Sequence, residues 1–299
     1  MPRLALKFIS IHEFSNMQIR AISNVVSDLG EGPVWDDRTG EVLWTDITGK
    51  KFHRTHLNTG FTESFSMPMM IGAIALTHDD SYVAATQTGI AGISRSGELI
   101  TQNSFLAPDS RMNDGKVDQR GRFLAGSVAI DFSQERGTLY SFDASGKIRP
   151  LLERLTLSNG MCWSADGESF FFIDSIPGTL WRYRYDMEKG EISSGEVLIR
   201  FDSGDGVPDG MCISSEGFLI IAFWDGSRVE VFDQNGISQQ RINLEVQRPT
   251  SCAFAGFDGE ILIVTSASQG IDQSRQPLAG KTIAITGTGL SGAPSHRYG

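Results

Sequence analysis

Four side chains that could hold a cation recur along the chain: Glu31, Asp114, Asn159 and Asp209. They belong to six short motifs, Glu31-Gly32, Ile71-Gly72, Asp114-Gly115, Asn159-Gly160, Asp209-Gly210 and Thr250-Ser251, at intervals of 40, 43, 45, 50 and 41 residues. If the repeat places equivalent residues on one circle, three carboxylates and a carboxamide face each other. Carboxylates crowded in a partly dehydrated place repel one another, and some are driven neutral unless a cation sits among them. Oxygen donors of this kind suit calcium, magnesium or manganese, and zinc also accepts carboxylates, so donor type does not name the ion. Asn-Gly and Asp-Gly are also strong hairpin signals, and the same residues could be ordinary turns. Against turns, each motif runs into an apolar stretch, as in Gly210-Met211-Cys212-Ile213, and other residues supply the turns.

Those turn signals keep step with the motifs: Asp36 to Gly40, Thr77 to Asp80, Asp118 to Gly121, Ser164 to Gly167, Ser214 to Gly217 and Gly256 to Gly259. After each comes a strongly β-forming run, for example Phe170-Phe171-Phe172-Ile173 or Ile261-Leu262-Ile263-Val264, read as a strand buried on both faces. Alternating runs follow, such as Thr179 to Tyr185 and Arg228 to Phe232, and these read as half-exposed outer strands. Units of this length with four short strands each predict an all-β, six-bladed β-propeller of four-stranded blades, with equivalent residues ringed around a central channel. The expected organisation is one propeller over residues 1–299, with 1–28 as an N-terminal extension. Its segment Met17 to Val25 would pair with the last blade and close the ring.

Other function classes are disfavoured by composition. A formal net charge of −10 repels phosphate backbones, so no nucleic acid partner is expected. Met1 to Ser10 is a short apolar run broken by Arg3 and Lys7 without a small-residue cleavage site, and no stretch is long enough to span a membrane. The three cysteines, Cys162, Cys212 and Cys252, are odd in number and far apart, which fits buried thiols in a reducing cytoplasm rather than a disulfide framework. Asp46 and Asp174 each follow their motif by the same interval and read as structural acids accepting backbone hydrogen bonds.

At Gly30-Glu31-Gly32-Pro33-Val34-Trp35, Arg111-Met112-Asn113-Asp114-Gly115-Lys116, Ser158-Asn159-Gly160 and Pro208-Asp209-Gly210-Met211-Cys212-Ile213, the chain resembles the senescence-marker-protein, regucalcin and gluconolactonase family. A shorter fifth likeness is Gln276-Pro277-Leu278-Ala279-Gly280. The resemblance runs from about Leu29 to the last blade. It implies one divalent metal ion (calcium, zinc, manganese or magnesium) held by Glu31, Asn159 and Asp209. It also implies a substrate bound by Arg111 and Asn113, with Asp114 adjacent. A further family acid, usually Glu, falls on Asp131, which is one methylene shorter.

The function expected is hydrolysis of a small lactone, a gluconolactone-like aldonolactone, to the free acid. A metal would polarise the carbonyl and acidify bound water, with Asp209 as both ligand and general base. Arg111 and Asn113 would fix the ring through directional hydrogen bonds. Two other readings stay open: a metal-dependent propeller hydrolase of phosphoesters or aryl esters, and a non-catalytic calcium-binding propeller. The molecule is expected to be cytoplasmic and a monomer or small homo-oligomer, with a small-molecule lactone as its partner.

Overall fold

A computed structural model describes residues 17–299. The expected N-terminal extension therefore lies partly outside the described residues. The described residues form six four-stranded antiparallel sheets, the blades of a six-bladed β-propeller. The innermost strands are Gly30–Asp36, Ile71–Leu76, Ser110–Val117, Ser158–Trp163, Val207–Ile213 and Pro249–Ala255. Five of them carry the motif within their first four residues, whereas in Ser110–Val117 Asp114 is the fifth residue. The sixth blade takes its outermost strand from Gln18–Ala21, which pairs antiparallel with Ile283–Thr286.

The apolar runs after the turns are the second strands from the axis. Ser169–Asp174 and Leu219–Trp224 are almost wholly buried because neighbouring blades cover both faces. The expectation for Arg228–Phe232 needs correction. It is the third strand of its blade and is buried throughout. Its alternating polar residues are paired inward: Arg228 Nε donates to Glu230 Oε2 at 2.7 Å, and the Arg228 guanidinium stacks 3.8 Å above the Phe223 ring. Pairing and stacking of this kind let charged side chains enter a core that alternation alone would place in water.

Asp46 and Asp174 do equivalent structural work. Asp46 accepts from the backbone N–H groups of Asp28, Leu29 and Gly49, and Asp174 accepts from those of Thr156 and Leu157. Each carboxylate clamps the chain entering its own blade's innermost strand.

The final residues form a strap across the end of the channel opposite the motifs. Ser291 O accepts from Ser215 N, Gly292 N donates to Gly259 O, Tyr298 N donates to Leu76 O, and Gly299 N donates to Gly121 O. Arg297 bridges Asp36 and Asp37 at 2.8 Å each. These contacts touch five blades, and they add a second circumferential tie to the pairing of Gln18–Ala21.

Candidate functional site

Every motif coincides with a break in strand register. The innermost strands slip between Glu31 and Val34, Ile71 and Ala73, Met112 and Gly115, Ser158 and Met161, Pro208 and Met211, and Pro249 and Ser251. A bulge bends a strand and re-aims the side chains within it. Here it gathers Glu31, Asp114, Asn159 and Asp209, all buried, toward a shared electrostatic environment.

Gly72, Gly160 and Gly210 serve this convergence rather than hairpins. A Cβ on Gly160 would lie 2.6 Å from Asp209 O and 2.8 Å from Met211 Cβ in the next blade. No side chain fits there, so the glycine lets adjacent innermost strands approach and brings Asn159 against Asp209. Hairpin chemistry, the alternative that sequence left open, is not what these glycines supply.

A chain of hydrogen bonds crosses the blades. Arg111 Nη1 donates to Met112 O at 3.0 Å and to Asn113 Oδ1 at 2.7 Å. Asn113 Nδ2 donates to Ser158 O at 2.9 Å. Asn159 Nδ2 donates to Ser175 Oγ at 3.1 Å and also to Asp209 Oδ1. Glu31 Oε2 accepts from Gly32 N at 3.0 Å, and Asp114 Oδ1 accepts from Gly115 N at 2.7 Å. Among the described residues, Asn159 Oδ1 is buried with no hydrogen-bond partner.

The electrostatics follow from burial and crowding. Desolvation, then Asp209 and Asp114, push the Glu31 carboxyl well above the usual carboxylate range. Desolvation and then Asp114 do the same for Asp209, while Asn159 and Arg111 pull the other way. Desolvation raises Asp114 too, and Lys116 opposes it. Burial lowers the proton affinity of Arg111, which Glu31 and Asp209 counter, and a guanidinium stays charged across the working range.

A hard divalent cation fits these residues. An unpartnered carboxamide oxygen beside two carboxyls that burial keeps from ionising freely is a hard-donor set lacking a positive charge. Among the described residues no three or more His, Cys, Asp or Glu side chains converge as ligands, so a cation here would need a carboxamide donor such as Asn159 beside its carboxylates.

Asp131 stands apart from this network. It is exposed in the loop after strand Phe123–Ala129, and its Oδ1 accepts from Ser133 N at 3.0 Å and Ser133 Oγ at 2.6 Å. The pairing of Arg111 with Val128 puts this loop at the motif end of the blade. Sequence reasoning missed Ser175, which orients the Asn159 carboxamide and stands just after the structural acid Asp174. It also missed Lys116, whose Nζ donates to Met211 O at 2.7 Å across the channel.

The sequence matches the SMP-30/Gluconolactonase/LRE-like region over residues 29–268. It is 34% identical to the regucalcin of Gallus gallus, covering 95% of this chain and 99% of that protein. To the regucalcin of Homo sapiens it is 31% identical, with the same coverage of each chain. A solved structure described as a calcium-binding protein, regucalcin, from Agrobacterium tumefaciens superposes with a TM-score of 0.90 at 26% identity, covering 95% of this chain and 98% of that one. A gluconolactonase from Xanthomonas campestris shares the fold at a TM-score of 0.76 and 16% identity, over 93% and 91% of the two chains. With its motif ring, its strand bulges and these likenesses over nearly its whole length, the chain belongs to the SMP-30/gluconolactonase/LRE-like family.

Proposed function

We propose that this protein hydrolyses a sugar-acid lactone with the help of one divalent cation held by Glu31, Asn159 and Asp209. The observation that carries the reading is the unpartnered Asn159 Oδ1, buried beside Asp209, whose charge in turn acts on Glu31. Family membership and the gluconolactonase named among the solved structures of this fold support the choice of reaction. When bound, a divalent cation polarises a carbonyl oxygen and makes a neighbouring water more acidic.

The chain's own residues supply the rest. Asp209 is the general base, because it is a buried carboxylate at the ring where the water must be activated. Arg111 holds the lactone: Nη1 is used internally, which fixes the plane of the fork and leaves Nε and Nη2 for ring oxygens. Asn113 keeps Arg111 in place and is itself anchored to Ser158 O. Asp114 contributes negative charge beside the pair of ligands, and Asp131 offers its carboxylate to the substrate's outer hydroxyls from the rim. Calcium, zinc, manganese and magnesium all suit the donors.

Among the described residues no helix is long and apolar enough to cross a membrane. Three free buried cysteines suit a reducing cytoplasm. A monomer or small homo-oligomer acting on a small molecule completes the reading.

The test is acid release from a panel of aldonolactones, followed with a pH indicator after chelation and again with each divalent ion restored. Turnover of at least one lactone should vanish with chelator and return with one or more ions. Undiminished turnover in the thoroughly chelated protein would contradict the reading. The regucalcin relatives and the solved calcium-binding protein favour a second reading, a non-catalytic calcium-binding propeller. Calcium binding without turnover of any lactone in the panel would favour it.

A further inference from the structure

We propose that Cys212 and Cys252 form a reversible oxidation site, a buried thiol pair that a peroxide converts into a disulfide joining the innermost strands of blades five and six. The two residues occupy neighbouring strands, Val207–Ile213 and Pro249–Ala255, at the same level of the channel. Their sulfurs lie 3.5 Å apart, and the Cys252 thiol also donates to Ile220 O at 3.2 Å. A disulfide has sulfurs about 2.05 Å apart, so the gap to close is about 1.5 Å, within reach of small side-chain rotations. The backbones are already close, since a Cβ on Gly210 would come within 2.7 Å of Ser251 Cα.

Both thiols face an axial cavity of about 140 Å³, on the strap side of the motif ring. Cys162, Lys116 and His296 also line it, and residues 293–296 of the strap close its outer end. The space admits a molecule the size of hydrogen peroxide, since on the same measure a water needs only about 10–15 Å³. Burial pushes Cys162 up to about 12 and holds Cys252 well above the usual thiol range, while Lys116 opposes both. The reaction should therefore be slow at neutral pH and faster in mild alkali, because the thiolate is the attacking species. Cys162 lines the same cavity but is not hydrogen-bonded to the pair, and it serves as the internal control.

The chemistry balances with peroxide as oxidant. One thiolate sulfur attacks a peroxide oxygen, the O–O bond breaks, and the departing hydroxide takes up a proton to become water, leaving a sulfenic acid. The second thiolate attacks that sulfur, the S–O bond breaks, and the hydroxyl leaves as a second water. Two thiols lose two electrons and two protons, and one peroxide is reduced to two waters.

The full chain, treated with hydrogen peroxide and then unfolded in denaturant, should show a fall from three titratable thiols to one. Non-reducing mass spectrometry should find the Cys212 and Cys252 peptides linked, and dithiothreitol should restore all three thiols. Because the link closes a long loop, the melting temperature should rise by on the order of 5 °C on oxidation and return on reduction. Cys162→Ser should form the link unchanged, whereas Cys252→Ser should show neither the link nor the rise. Three thiols surviving peroxide in the folded protein, a link that includes Cys162, or links only between molecules would each overturn the proposal.

Discussion

Asp209→Asn should lower lactone turnover by at least about 10³-fold while raising the melting temperature of the chelated protein. The two effects have one cause. Asp209 is buried, and Asp114 and Glu31 repel its charge, so ionising it without a cation costs stability. A carboxamide of the same shape can still accept the hydrogen bond from Asn159 Nδ2 but carries no charge and cannot take a proton. Replacement therefore relieves the repulsion and removes both the base and an anionic ligand. Steady-state kinetics and thermal melts in chelator check both halves. A variant that keeps more than a tenth of its turnover, or that melts well below the chelated wild type, would show that Asp209 is a structural acid.

The second large effect is a cation-dependent gain in stability that grows with pH. Glu31 and Asp209 bind protons more tightly in the folded chain than their ordinary values of 4.5 and 3.8. Groups shifted upward favour folding below the unfolded value, and that contribution is lost as pH rises through the folded one. The chelated protein should therefore lose stability from these two groups as pH rises above about 4 toward and through their raised folded values. A divalent cation binds the ionised carboxylates and competes with protons, so its stabilisation should be smaller at pH 5 than at pH 8. At a hundredfold excess over Kd it amounts to about 2.7 kcal/mol, or about 5 °C for a chain of this size. Asp36 acts oppositely: burial pushes its carboxyl up, but the hydrogen bonds from Arg297 and Arg38 N outweigh that and hold it low, so its contribution is present above 3.8 and lost as pH falls through its lower folded value. Melts at pH 5 and pH 8, with and without each ion, separate these effects. A cation shift as large at pH 5 as at pH 8 would place the binding elsewhere.

Much of this architecture is legible in the chain because a propeller repeats itself. The motif interval reports the blade count, and the polar members of the ring stand out because folding alone does not require them in buried innermost strands. The motif glycines carried an ambiguous signal, since Asn-Gly serves a hairpin as readily as a close approach between strands. Only the position of Gly160 against Asp209 O resolves it. Arg228–Phe232 misled for a different reason: alternation reports which residues are polar, and the Arg228–Glu230 pair lets polar residues be buried. The strap from Ser291 to Gly299 has no periodicity and occurs once, so nothing in the repeat announces it. The rim position of Asp131 depends on how the exposed loop after Ala129 folds back on Ser133, a local choice that spacing along the chain does not encode.

Anomalous diffraction from crystals soaked in manganese locates the ion without reference to activity. The peak should stand on the propeller axis, within about 2.0 to 2.6 Å of carboxyl oxygens of Glu31 and Asp209 and of Asn159 Oδ1. A peak bound only by outer side chains, or an axis without one in manganese-saturated crystals, would contradict the assignment of these three residues as the metal centre.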